Sequence, residues 1–396
     1  MSRRIRLTVV LTHPIQYYDP WFRFIVKEAP ELDLNVVYAS EPTPEQQGVG
    51  FGRAFVWDVP LREGYRNVVV RPSTTRGRFD SSAFWGLDAP EVNEAIDRSK
   101  PDVVLLSGWH SISLVRAMRS CRRRSVPILY RGDTQIGGRS AGPKHWLWRL
   151  RTRWLLGHFD RFLSVGSRAR EYLRSFGIPE DLIYDSPHAV DNDFFAKSSA
   201  PFRIPAPRAR VRLEWELGAE DYVVLFAGKL EAKKRPADPI RALAIGGRKA
   251  TLLVVGRGAL EEKCRRLSSD LGIAVRWIGF LNQSELGKAY AAADCLVLPS
   301  DWGESWGLVV NEAMASGLPC VVSDRAGCAP DLIDEGRTGF TYPAGDVRAL
   351  SEALVRLYEY QQQERIRPEY CQEKVRGYSY GAATSGLLSA CRSLRP

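Results

Sequence analysis

Long apolar runs are absent from this chain of 396 residues: no window of about 20 of them occurs, so no helix is expected to span a membrane. Cysteine is scarce. The seven present include no pair at Cys-x-x-Cys spacing and leave one necessarily unpaired, which argues against a disulfide framework or a zinc site and points to a reducing cytoplasm. No Asp-x-Asp pair or histidine cluster is placed to ligate a divalent ion, so neither metal nor other cofactor is expected. Helix-turn-helix, zinc-finger and RNA-binding-sheet motifs are missing too, and nucleic acid is not an expected partner. The start, MSRRIRLTVVLTHPIQYY, sets basic residues before an apolar run, but that run is only about seven residues long and has no small-residue cleavage site. It reads as a first buried strand.

What is present is ordinary globular composition, 44% hydrophobic and 26% charged, with a net charge of +10 unevenly spread. Residues 116–174 carry fifteen Arg and Lys against Asp133, Asp160 and Glu171. Within them KHWLWRLRTRWLLGHFDR, from Lys144, reads as an amphipathic helix with Trp146, Leu147, Leu150, Trp154 and Leu155 on its apolar side. Three readings stand: a core-facing helix with a solvated basic face, a peripheral contact with an anionic membrane surface, or a nucleic-acid patch. Arginine outnumbers lysine 45 to 11, which we take as composition bias.

Short β-branched runs alternate with helix-length segments throughout, the pattern of βαβ units and parallel sheets. Strands are predicted at 5–11, 34–39, 102–107, 127–130 and 161–165, then at 222–228, 250–256, 274–279, 295–299 and 319–323. A stretch with no clean periodicity, 192–218, reads as a linker or hinge. The expected organisation is a Rossmann-like domain over 1–195, a second Rossmann-like domain over 196–375, and a terminal helix over 376–396 that packs back on the first. A ligand would then lie in a cleft outside the carboxyl ends of both sheets.

The most informative segment is DWGESWGLVVNEAMASGLPCVV, where a loop bearing Glu304 enters a helix bearing Glu312. A helix start at the carboxyl edge of a parallel sheet presents unpaired N–H groups and partial positive charge, which suits a phosphate. If both acids were helical they would stand about 12 Å apart at about 1.5 Å per residue, the scale of a nucleotide sugar. The segment FAGKLEAKKRP places Gly228, Lys229, Lys233 and Lys234 at another strand end, where ammonium groups can neutralise a diphosphate. In VVGRGAL, Gly256 and Gly258 lack the third glycine of a dinucleotide fingerprint but permit a tight turn under a nucleotide.

This order of lysine loop, glycine turn, Glu-x7-Glu segment and EAMASGLP resembles the nucleotide-sugar half of glycosyltransferase family 4, closely over about 160–350 and loosely elsewhere. The resemblance implies an α/β fold of GT-B type, two Rossmann-like doubly wound domains facing a central cleft, and metal-independent transfer with retention. It implies that Lys229 and Lys234 hold the diphosphate, that Glu304 meets the donor sugar and Glu312 the ribose, and that amides of Trp306, Gly307 and Leu308 meet phosphates. Gly228, Gly256, Arg257 and Ser305 complete the donor set. Lys229 stands where relatives usually carry Arg, and Trp306 where Phe is common. In the first half, His13, Gln16, Tyr17, His110 and Asp133 follow strands at carboxyl ends and are the acceptor or sugar candidates. The expected activity is hexosyl transfer from a nucleotide sugar, a UDP-sugar favoured, to a hydroxyl of a lipid-linked or cell-envelope glycan intermediate, on the cytoplasmic side. Alternatives are a nucleotide-sugar epimerase of the same fold, transfer to a small natural product, and a non-catalytic anion- or nucleic-acid-binding protein that uses the basic first half.

Overall fold

The computed structural model describes residues 3–71, 83–137, 143–247 and 249–394. Within the basic stretch, 138–142 and the side chain of Lys144 lie outside the described residues. The chain forms two compact units, one of Met1–Gln47, Pro60–His188 and Tyr380–Pro396, the other of Gly48–Val59 and Ala189–Ser379.

In the first unit seven parallel strands, β1 (Ile5–Leu11), β2 (Leu32–Tyr38), β3 (Arg66–Val69), β4 (Val103–Leu106), β5 (Ile128–Gly132), β6 (Arg161–Ser164) and β7 (Ile183–Asp185), lie in the order β3-β2-β1-β4-β5-β6-β7. The central strands β1 and β4 are buried almost throughout because helices cover both faces of a parallel sheet. The Tyr18–Glu28 helix shows how one such cover is built. Trp21, Phe22 and Ile25 recur on one face and are fully buried, each contributing about 1.5–3 kcal/mol, and Pro30 stops the helix just beyond Ala29. Trp21 Nε1 donates to Thr384 Oγ1 at 2.9 Å, which ties this helix to the final helix, Tyr380–Arg392, within the same unit.

In the second unit β8 (Tyr222–Ala227), β9 (Ala250–Val255), β10 (Val275–Gly279), β11 (Cys295–Leu298), β12 (Cys320–Ser323) and β13 (Gly339–Tyr342) form a parallel sheet ordered β10-β9-β8-β11-β12-β13. Every predicted strand is present. The three not predicted, β3, β7 and β13, are sheet edges of three or four residues, too short to show a period. All seven cysteines are free and buried.

Two expectations change. The 192–218 stretch is no loose linker: helices Asn192–Arg203 and Pro205–Glu214 occupy most of it. Asp191 caps the first by accepting from Phe194 N at 2.9 Å, and Pro205 opens the second at a position that needs no amide hydrogen. Serine and proline hid the helices, and tertiary bonds hold them. The buried Arg212 donates to Ala292 O at 3.0 Å, Ala219 O at 2.8 Å and Asp294 Oδ2 at 2.9 Å. The other change concerns the tryptophan helix, which spans Pro143–Leu156. Its inward face is Thr152, Leu155 and Leu156, with Trp148 packed against the core. Trp146, Leu147, Leu150 and Trp154 point outward, 60%, 60%, 47% and 59% exposed, so they do not serve as the core stripe.

Candidate active site

Strand order reverses once in each sheet, between β1 and β4 and between β8 and β11. Loops leaving those strands diverge and open a crevice at the carboxyl edge. In the second unit the two loops are the lysine segment after β8 and the Glu304 segment after β11. A short 3-10 turn, Ala232–Lys234, aims Lys234 at Glu304, and the two side chains form an ion pair that is only 16% and 13% exposed. Ser300 Oγ also donates to Glu304 Oε2, at 3.1 Å. Backbone bonds lock the loops together: Asp301 N to Lys233 O at 2.9 Å, and Gly327 N to Glu304 O at 3.0 Å. Glu304 is therefore a held carboxylate, and not a solvated surface acid.

Glu304 lies outside the Leu308–Ala315 helix, so the two glutamates do not share a helical ladder. Gly307 forms the N-cap at φ 108°, a left-handed conformation suited to glycine, and no side chain caps the helix. A Cβ at Gly307 would also lie 2.6 Å from Leu298 Cδ2, so the mouth of this helix stays open and close to β11. Trp306 turns away from that mouth. Its buried indole donates from Nε1 to Asn311 Oδ1 at 2.8 Å, so only its backbone is available to a ligand there. Glu312 is 2% exposed and accepts a hydrogen bond from Tyr290 Oη.

In the glycine turn the backbones of two loops approach closely. A Cβ on Gly256, at φ 129°, would fall 2.0 Å from Gly228 O, and one on Gly258 would fall 2.5 Å from Leu230 O. The glycines let the loops after β8 and β9 interlock, with Gly228 N bonding Val255 O and Leu230 N bonding Arg257 O, each at 2.9 Å. The exposed Arg257 runs alongside Gly279.

The Gly48–Val59 segment belongs to this unit, and nothing in the sequence marked it beyond its three aromatics. Lys229 Nζ donates to Val49 O at 3.0 Å and stands 4.9 Å from the Phe51 ring centre. Burial pushes the Lys229 ammonium below its ordinary pKa, and Lys233 and Lys234 add to that against the opposing pull of Glu231. Phe51 and Phe55 pack on Phe280 at 5.0 and 4.4 Å between ring centres, and Asn282 Nδ2 donates to Val56 O at 2.8 Å.

In the first unit the loop after β1 carries His13, Gln16 and Tyr17, the segment after β4 carries His110, and Asp133 follows β5. Three of these five act on one another electrostatically. Burial lowers the His13 pKa to about 4, with His110 adding to it; burial also lowers His110, against the pull of Asp133. Thr12 Oγ1 lies 3.0 Å from His13 Nδ1. Tyr17 is used through its carbonyl, which accepts from Tyr380 Oη at 3.1 Å, and Gln16 is half-buried. Two further residues join them. His188 is lowered to about 3 by burial and then by Arg131. Arg131 is buried, donates to Tyr18 Oη at 2.8 Å and Pro187 O at 3.1 Å, and lies 4.7 Å from the Trp21 ring centre. Among the described residues no three His, Cys, Asp or Glu are grouped to hold a metal ion. The one Asp-x-Asp, Asp191 and Asp193, opens a helix.

A family model described as "Glycosyl transferases group 1" matches residues 208–376, and one described as "Glycosyl transferase 4-like domain" matches residues 26–183. The chain belongs to the GT4-type glycosyltransferases. Among curated relatives, this family member is 27% identical to a GDP-mannose-dependent alpha-mannosyltransferase of Mycobacterium tuberculosis, over 91% of this chain and 96% of that protein. It is 29% identical to the sulfoquinovosyl transferase SQD2 of Arabidopsis thaliana, over 76% of this chain and 58% of the other. With a D-inositol 3-phosphate glycosyltransferase of Corynebacterium urealyticum it shares 34% identity, over 44% of this chain and 40% of the other. The match thus spans about half the length of several curated relatives. Among solved structures, the apo lipopolysaccharide outer core galactosyltransferase WaaB superposes with a TM-score of 0.69 at 16% identity, over 98% of this chain and 99% of that one. Anabaena HepE in complex with UDP-glucose gives 0.72 at 15% identity, over 98% and 100%. The fold of the GT4-type chain is thus the two-domain, parallel-sheet architecture of GT-B glycosyltransferases.

Proposed function

We propose that this protein transfers a hexosyl group from a nucleoside diphosphate sugar to a hydroxyl acceptor, with retention at the anomeric carbon and without a metal ion. The observation that carries the reading is the Lys234–Glu304 pair beside the uncapped Leu308–Ala315 helix, at the point where the second sheet changes direction. In this reading Lys229 and Lys234 meet the diphosphate, Lys229 leaving Val49 O to do so, with Gly228, Gly256 and Arg257 forming the adjoining wall. Backbone amides from Ser305 to Leu308 receive phosphate oxygens, so positive charge stands where negative charge builds as the leaving group departs. Glu304 holds the donor sugar and Glu312 the ribose hydroxyls. The acceptor oxygen attacks the face the leaving group vacates, and its proton passes to the departing phosphate. His13, His110 and Asp133, with Gln16 and Tyr17 beside them, serve the acceptor.

A UDP-sugar remains the favoured donor. GDP-mannose is the second reading, because several relatives carry GDP-mannose in their names. A thermal-shift panel of UDP-, GDP-, ADP- and dTDP-sugars separates them, and NMR of the product's anomeric proton reads retention. Activity that persists in chelator is the expected result for the metal. Stabilisation by none of the four donors, or epimerisation of a donor supplied alone, would overturn the transferase reading.

The acceptor is a lipid-linked or cell-envelope glycan intermediate, reached from an anionic membrane surface. Support comes from the outward Trp146, Leu147, Leu150 and Trp154, flanked by the exposed Arg151 and Arg153. No helix among the described residues is long and apolar enough to cross a membrane. Vesicles containing phosphatidylglycerol should co-sediment the protein, and W146S/W154S should release it. Equal sedimentation with neutral vesicles, or none with either, would remove this contact.

A further inference from the structure

One acid in the first unit is entirely buried, and no step of the proposed reaction uses it. Asp19 stands in the first turn of the Tyr18–Glu28 helix, with 0% of its surface exposed. Its carboxylate accepts from three donors of the same unit: Ile15 N reaches Oδ2 at 3.3 Å, and Arg62 N and Tyr65 Oη reach Oδ1. Tyr38 Oη lies 2.7 Å from Tyr65 Oη. Because the one Tyr65 proton goes to Asp19, Tyr38 is the donor of that pair. Every partner donates, so the surroundings are built for the ionised acid. Burial raises the Asp19 pKa, and the Tyr65 hydroxyl, the Arg62 and Ile15 amides and Arg23 pull it back.

A buried charge is costly, and what this one holds is backbone. Arg62 sits at φ 62°, in the left-handed region that a long side chain rarely adopts, and its amide is one of the three donors. The Ile15 amide is another, and the bond is returned. Asp19 N donates to Ile15 O at 3.2 Å and Tyr18 N to the same oxygen at 2.9 Å, which closes the turn that follows His13. At the other end of the loop, Ser40 Oγ donates to Thr12 O at 3.0 Å. The backbone that carries His13 and Gln16 is thus fastened before and after those residues, and the later fastening turns on a single carboxylate.

We propose that Asp19 is a positioning residue: its carboxylate, held by Tyr65 and through it by Tyr38, fixes the path of the 12–17 loop and so places His13 and Gln16 for the acceptor. The role assigned to those two side chains rests on the function proposed above. The anchoring itself does not. A loop set in place before the ligand arrives spares the ordering cost at the moment of binding, and a satisfied buried network is a rigid way to set it.

The test is the pH titration of the five histidines in a chain labelled with 13C-histidine, followed by NMR for the native protein, Asp19→Asn and Tyr65→Phe, with His13→Gln to assign the signal. In the native chain His13 should titrate near 4 and His188 near 3. In Asp19→Asn the loop loosens, water reaches the ring, and the His13 midpoint should rise toward about 6.5 while His188 stays where it was. The sign is decisive, because losing a nearby negative charge would by itself lower the His13 midpoint. Tyr65→Phe removes one donor and no charge, and should move His13 the same way by less; it decides the question alone should Asp19→Asn fail to fold. A His13 midpoint that stays or falls in these variants would overturn the proposal. So would an equal rise of His188, which would mean general loosening of the unit. The titration needs no substrate, so its failure and that of the donor panel are read separately: a panel without a hit beside a moved His13 removes the transferase and keeps the anchor.

Discussion

The carboxyl edges of the two sheets handle charge in opposite ways. In the second unit charge meets charge: Lys234 pairs with Glu304, and Lys229 is held above an aromatic ring with its donor on a carbonyl. In the first unit charge is suppressed. His13 and His188 are buried deeply enough to stay neutral, and the guanidinium of Arg131 is absorbed by carbonyls and rings. An edge of paired ions beside an open helix start suits a diphosphate, whereas an edge of neutral imidazoles suits hydroxyl groups. One topology therefore supplies two chemistries through the loops that leave its central strands.

The sharpest way to break this comparison is to neutralise the charged edge. Glu304→Gln keeps the shape of the side chain and its bond from Ser300 but removes the charge facing Lys234. Turnover is expected to fall at least about 100-fold, near 3 kcal/mol of transition-state stabilisation, the scale seen when one preorganised polar contact is lost. The melting temperature should fall by a few degrees as well, because the mostly buried Lys234 loses the charge that faces it. Turnover within about threefold of the native enzyme would take Glu304 out of the reaction.

The neutral edge is tested by pH. The folded-state pKa of His13 is lowered to about 4 and that of His188 to about 3, against about 6.5 in the unfolded chain. Between those values the unfolded chain binds protons that the folded chain refuses, so stability must fall as pH drops below about 6.5. At pH 5 each histidine should account for about 2 kcal/mol of lost stability relative to pH 8, from about 1.4 kcal/mol per unit of pKa. His13→Gln should flatten that part of the curve in urea titrations between pH 8 and 5. An unchanged slope would mean that His13 takes up a proton without penalty.

The sequence disclosed the charged edge far better than the neutral one. Lys229, Lys234, Glu304 and Gly307 announce themselves because each answers a local need, a strand end or a helix start, within a dozen residues. Every long parallel strand was legible for the same reason, since burial on both faces leaves continuous apolar runs. What escaped depends on partners distant in the chain. Arg131 is buried only because Tyr18 and Pro187, both far from it in the chain, close on it. The Gly48–Val59 segment reads as part of the first domain until Phe51 and Phe55 meet Phe280. The tryptophan helix carries apolar side chains on both faces, so periodicity alone left its core face open. Glu312 carries no sequence mark of its partner either, because Tyr290, which donates to it, comes from a different helix.

That last pairing offers the smallest but most discriminating effect. Tyr290 is fully buried and donates its hydroxyl to Glu312, so the carboxylate assigned to the ribose is satisfied from inside the protein. Tyr290→Phe keeps the ring and removes the donor. A buried acceptor deprived of one hydrogen bond costs about 1 kcal/mol, so the urea midpoint should fall modestly. If ribose hydroxyls are the natural partners of Glu312, the same variant should bind nucleoside diphosphate a few-fold more tightly, because the ligand no longer competes with an internal donor. Affinity that weakens in step with stability would instead make Glu312 a structural acid, and would move ribose recognition to the backbone of the Gly307 turn.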